Sequence, residues 1–119
     1  MPKKSALITG TSSGIGRATA ELLAGKGYRV LATMRNPEKG RDLTALAGEK
    51  GWDLQLLPLD VRNDASVQAA VRQAGEVDIL INNAGFEVWG PLEEMTVADL
   101  QDQFETNVYG PFRLITALL

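Results

Sequence analysis

Thr9-Gly10-Thr11-Ser12-Ser13-Gly14-Ile15-Gly16 is the stretch on which the reading of this 119-residue chain turns. Its glycines are spaced G-x-x-x-G-x-G, between the apolar run Ala6-Leu7-Ile8-Thr9 and a segment of helical period from Ile15 to Lys26. The run reads as a first strand closed by Gly10. In the helix that follows, Ile15, Ala18, Leu22 and Leu23 share a stripe, with stop signals at Gly25 and Gly27. Gly10 permits a tight turn, Gly14 lets the backbone approach a pyrophosphate, and Gly16 lets helix and strand pack closely. Amides at the helix N-terminus then face an anion, with the Ser12 and Ser13 hydroxyls as further donors. Glycines also mark turns that hold no ligand, but strand before and helix after is the context a phosphate-binding loop requires. A P-loop is excluded, because no Gly-Lys-Ser/Thr closes the segment.

Outward from this stretch the alternation repeats. Arg29 to Thr33 reads as a second strand, a short polar helix follows Pro37, and Leu54 to Leu59 is a third strand with Pro58 near its end. Asn63 or Asp64 caps a helix whose Val67, Ala70, Val71 and Ala74 share a face. Val77 to Ile81 is a fourth strand, running into Asn82-Asn83-Ala84-Gly85. A loop through Gly90-Pro91 then leads to a last helix, capped near Thr96 and continuing through Leu100, Phe104 and Val108. Near-continuous apolar strands imply a parallel sheet covered on both faces. The expected class is α/β: a Rossmann-type doubly wound parallel sheet of about four strands with right-handed crossovers, in one domain over residues 1–119. The terminal run Leu114-Ile115-Thr116-Ala117-Leu118-Leu119 has no cap, glycine or polar tail. Truncation of a longer chain is therefore expected, with later strands missing and the fourth strand an open edge.

Composition narrows the chemistry. The chain has 12 Lys+Arg against 15 Asp+Glu, a net charge of −3, and neither His nor Cys. A Ser-His-Asp triad, a histidine metal site, a thiolate nucleophile and a zinc-thiolate cluster are all excluded. Slight acidity argues against a nucleic-acid surface, and no apolar run reaches the ~18 residues of a membrane span. The start lacks the long apolar stretch of a signal peptide, so a cytoplasmic protein without metal is expected.

Four elements in order, T-G-x-x-x-G-I-G from Thr9, Asp60-Val61, Asn82-Asn83-Ala84-Gly85 and Asn107, make the chain resemble the N-terminal half of a short-chain dehydrogenase/reductase. The resemblance covers essentially the whole chain. It implies that Gly10, Ser12, Ser13, Gly14, Ile15 and Gly16 hold dinucleotide phosphates, and that Asp60 accepts the adenine amino group with Val61 beside it. Asn83, Ala84 and Gly85 would lie under the cofactor ribose, and Asn107 would be the active-site asparagine of a water-linked proton relay. Read without the family, Asp60 is as good a cap or turn residue, and Asn82 and Asn83 equally suit braces at a strand end. An asparagine within a helix, as at Asn107, needs a local reason.

Cofactor choice rests on Thr33-Met34-Arg35-Asn36, at the end of the second strand. An acid there would hold a ribose 2′-hydroxyl, and none is present. Arg35 offers a planar cation for a 2′-phosphate, with Lys39 and Arg41 adding positive potential, so NADP is expected over NAD. Phe86 and Trp89 suit either an apolar substrate or ordinary packing and are assigned no role.

The family's Tyr-x-x-x-Lys pair and upstream Ser are not found. Tyr28 is followed four residues on by Ala32, and Tyr109 by Arg113, which falls too early and is a poor substitute for Lys. The expected protein is an NADP(H)-dependent oxidoreductase acting on a small-molecule carbonyl or alcohol, seen as its cofactor-binding portion and inactive by itself. The alternatives are a non-catalytic dinucleotide-binding module or a folding and assembly fragment. A homo-oligomer is expected, with Leu100, Phe104, Leu114 and Leu118 as a stripe that suits either an interface or the core.

Overall fold

Apolar strands that cannot satisfy their own backbone groups must pair, and here they pair in parallel. Ser5–Ile8 (β1), Arg29–Met34 (β2), Leu54–Pro58 (β3) and Ile79–Ile81 (β4) form one sheet in the order β3-β2-β1-β4. The structure is a computed structural model that describes residues 3–85 and 90–119. Register places Leu7 opposite Leu31 on one side and Leu80 on the other. All of β1 is buried and nearly all of β2, as expected of strands covered on both faces. At the sheet edge β3 departs from that expectation: Gln55 and Pro58 are exposed, and the missing proline N–H is tolerated there. The fourth strand is shorter than expected, because Asp78 makes a different contact. Its carboxylate accepts the Ser5 N–H at 2.8 Å, pinning the start of β1.

Helices cover both faces. Gly14–Gly25 (α1) and Arg41–Lys50 (α2) lie on one, where Ala20, Ala24 and Leu43 pack with Ile8, Val30 and Ala32. Asp64–Ala74 (α3) covers the other, where Ala74 packs with Leu7, Leu31 and Leu57. Successive strand residues thus serve opposite layers, as the two-residue period requires. Asn63 is the cap of α3, its side-chain oxygen accepting the Ser66 N–H at 2.9 Å.

Three expectations need correction. The buried face of α1 is Gly16, Ala20 and Ala24, whereas Ile15 and Leu22 are 78% and 59% exposed. Small side chains at i, i+4 and i+8 let the helix backbone lie close on the sheet, and that approach outweighs burial of the larger apolar groups. The short polar helix after Pro37 is a 3₁₀ turn, Pro37–Gly40, followed by the ten-residue α2 with Leu43 and Ala47 buried. The last helix is not continuous in register. Val97–Phe104 (α4) begins with a Thr96–Asp99 capping box, passes through a π-helical turn at Glu105–Tyr109, and resumes as Gly110–Leu118 (α5). A π turn takes an extra residue, so the apolar stripe changes side. Leu114 is fully buried against Val67 and Ala70, while Leu100 and Phe104 are exposed.

An ion pair joins α1 to α2: Arg17 meets both Asp42 and Glu21. The hydrogen bond from Arg17 holds the exposed Asp42 carboxyl below the usual carboxylate range. A depressed folded pKa gives stability that is present above the unfolded value and lost as pH falls through the folded one. In urea titrations, wild type should lose more stability than Asp42→Asn between neutral pH and about pH 3. In the sheet, Leu31→Ala should cost about 2–5 kcal/mol of unfolding free energy by the same method.

Candidate functional site

The strand order reverses between β1 and β4, and a crevice opens where such neighbours end. Buried Thr9, at the end of β1, bridges that gap. Its Oγ1 accepts the N–H of Asn83 at 2.9 Å and of Ala84 at 2.8 Å, and Asn83 Nδ2 donates to the Gly10 carbonyl at 3.1 Å. Asn83 is therefore a brace between the two strand ends. Thr11 ties the same loop to β2, its N–H and Oγ1 both reaching the Thr33 carbonyl, at 3.1 and 3.0 Å.

Two glycines of the loop meet opposite surroundings. A Cβ on Gly16 would lie 2.2 Å from the Gly10 carbonyl oxygen and 2.4 Å from Asn83 Nδ2, so only glycine lets α1 start this close to β1. Gly14, at φ +61°, has nothing within 4 Å of a Cβ position and faces open space.

A cleft of about 410 Å³ runs along these strand ends. Of the expected residues, Gly10, Ser12, Arg35, Asp60, Val61, Ala84 and Gly85 line it. Gly16 and Asn83 stand behind Gly10, while Ser13, Gly14 and Ile15 are exposed at the start of α1. Asn107 sits on the π turn, next in sequence to the lining residue Thr106. Its Oδ1 is 2.9 Å from where a Gly85 Cβ would lie, so a side chain there would push Asn107 aside. π turns are frequent at functional sites.

Met34, Leu59, Arg62, Asp102 and Thr106 also line the cleft and were not anticipated. Asp102 and Thr106 are four apart on the helix that carries Asn107, the spacing of one face, which is the signal that was available. Arg62 follows Asp60-Val61 directly and donates to Asp102 at 2.8 Å.

The turn role of Asp60 is real: Oδ1 accepts the Arg62 N–H at 3.0 Å, and its own N–H donates to Ser66 Oγ at 2.8 Å. Arg35 is exposed at the cleft and, among the described residues, pairs with no carboxylate. Arg41, by contrast, is paired with Glu38 at 2.8 Å, which offsets its expected positive contribution. Phe86 and Trp89 lie outside the described residues. Among the described residues no cluster of acids could hold a metal, and no helix is long and apolar enough to cross a membrane.

The family model described as short chain dehydrogenase matches residues 4–119. Retinol dehydrogenase 8 of Homo sapiens is 46% identical over 121 residues, an alignment covering 98% of this chain and 39% of that protein. The NADPH-bound carbonyl reductase from chicken fatty liver superposes with a TM-score of 0.89 at 30% identity, covering 99% of this chain and 51% of that one. The alcohol dehydrogenase of the archaeon Thermococcus sibiricus, complexed with 5-hydroxy-NADP, gives 0.89 at 31% identity, covering 98% and 52%. This chain thus spans 39% to 52% of the length of these three proteins.

Packing at Gly16 yields a direct test. Gly16→Ala should lower stability by about 1–3 kcal/mol in urea unfolding, since the clash falls on a backbone carbonyl that cannot rotate away. Thr9→Val should cost a similar amount, about 1–3 kcal/mol, by leaving two N–H groups without an acceptor.

Proposed function

The chain belongs to the short-chain dehydrogenase family, and on that premise we propose that it is the NADP(H)-binding portion of an oxidoreductase. Its reaction moves a hydride between the nicotinamide and a carbonyl or alcohol substrate. The observation that carries the NADP choice is Arg35. It is an exposed guanidinium at the cleft, on a β2 end that offers no acid to a ribose 2′-hydroxyl. The NADPH and 5-hydroxy-NADP in the two superposed structures support it.

The cleft fits a dinucleotide on its own geometry. Open space in front of Gly14 and the amides at the start of α1 receive the phosphates, with Ser12 and Ser13 as side-chain donors and Gly10, Ile15 and Gly16 shaping the loop. Arg35 takes the 2′-phosphate through its planar fork. Asp60 keeps Oδ2 for the adenine amino group while Oδ1 holds the turn, and Val61 supplies an apolar wall. Asn83 braces the floor, and Ala84 and Gly85 keep it low enough for a ribose to lie on. The bound nicotinamide supplies or accepts the hydride. Asn107, beside Gly85, holds the water through which a proton is relayed.

Tyr109 and Arg113 do not substitute for the tyrosine–lysine pair. The Arg113 donors go to Val61, Glu105 and Asp64. In this reading the 119 residues alone do not turn over, and the working protein is a cytoplasmic homo-oligomer. Exposed Leu100, Phe104 and Phe112 supply the contact face, with Leu114 excluded because it is core.

Fluorescence titration of the chain with NADPH and NADH tests the proposal. NADPH should bind about tenfold or more tightly than NADH, the worth of one charge-assisted pair. Arg35→Asp should remove that preference, and unchanged NADPH affinity would sink the assignment of Arg35. Binding of neither nucleotide would overturn the reading of the cleft.

A further inference from the structure

We propose that Arg113 is a positioning residue that couples the adenine-side wall of the cleft to the turn carrying Asn107, an inference that rests on the cofactor reading above. Arg113 lies in the first turn of α5 with its side chain 22% exposed. Nη1 donates to the Val61 carbonyl at 3.1 Å, Nη2 to Glu105 Oε2 at 2.9 Å, and Nε pairs with Asp64 Oδ1 at 2.8 Å. The three partners belong to three separate pieces of structure. Val61 is cleft wall, Asp64 opens α3, and Glu105 opens the π turn on which Asn107 sits.

A planar fork can hold three acceptors in fixed relation, which an ammonium on a flexible stem cannot. The junction has little slack otherwise: a Cβ on Gly110 would lie 2.7 Å from Val61 Cγ2. The hydrogen bond to Glu105 raises the Arg113 pKa, favouring the charged guanidinium that the clamp uses. Movement of Val61 on nucleotide binding therefore reaches Asn107 through one side chain, and the π turn keeps the geometry that presents Asn107 toward Gly85.

The test compares the chain with its Arg113→Met and Arg113→Lys variants by ¹H–¹⁵N NMR and amide exchange. Loss of the fork should shift the Asn107 side-chain amide resonance. It should also speed exchange about tenfold both at Arg62–Asn63 and at residues 106–110, leaving β1 and β2 unchanged. Arg113→Lys should not rescue either segment. Glu105→Ala should loosen Arg62–Asn63 in the wild-type background and add nothing in Arg113→Met. Effects confined to one segment, full rescue by Lys, an unmoved Asn107 resonance, or equal action of Glu105→Ala in both backgrounds would each overturn the coupling. If Arg113→Met does not fold, Glu105→Ala in the otherwise intact chain decides alone: loosening at Arg62–Asn63 supports the coupling, and none there refutes it. Failure of wild type to bind NADPH would instead sink the cofactor reading, whatever the exchange shows.

Discussion

Two hydrogen bonds into one buried hydroxyl hold the working end of this protein together. Thr9 Oγ1 accepts from both Asn83 and Ala84, where β1 and β4 part and a backbone N–H would otherwise face the crevice unpaired. The Gly10 carbonyl completes the joint by accepting from Asn83 Nδ2. With the two strand ends locked, the loop after β1 can leave the sheet at a fixed angle. The start of α1 then falls over the Gly10 carbonyl, at a separation that no side chain at Gly16 permits. One side of the cleft hangs from this joint: the loop itself, the Ala84–Gly85 floor, and through Thr11 the end of β2 that carries Arg35.

That constraint also explains the face that α1 presents. A helix tied down at its first turn by a glycine must continue along the sheet at the same short distance. Its inward positions one and two turns later are accordingly Ala20 and Ala24, not leucines. Bulk is supplied instead by the strands, from Ile8 and Val30, and by Leu43 of α2. The opposite layer draws bulk from its helices as well, with Val67 of α3 and Leu114 of α5 reaching in.

Class and the loop were legible because they depend on local signals, namely apolar runs, turn glycines and caps such as Asn63 and Thr96, whereas the strand order came only with the fold. The stripe of α1 was misread because side-chain hydrophobicity competes there with backbone approach, and only the fold reveals which prevails. The π turn left no trace in apolar spacing, since Leu100, Phe104 and Val108 fit an unbroken α-helix equally well. Its sole hint was an asparagine where a helix gains nothing from one. The near wall of the cleft was legible at Gly10, Ser12 and Arg35 from motif and position. The far wall, Arg62 with Asp102 and Thr106, depends on which helix crosses the strand ends, and that is a tertiary fact.

Charge placement distinguishes the arginines of this chain of net charge −3 from one another. Arg62, Arg41, Arg17 and Arg113 each face a carboxylate within hydrogen-bonding or ion-pair distance, so their fields are largely cancelled nearby. Arg35 has no such partner among the described residues and stands at the cleft beside an acid-free strand end. Net charge governs long-range attraction, which salt screens over about 10 Å, whereas a cleft selects by the few unneutralised groups inside that distance. Of the two arginines that line the cleft, Arg62 is paired with Asp102, and Arg35 pairs with no carboxylate among the described residues.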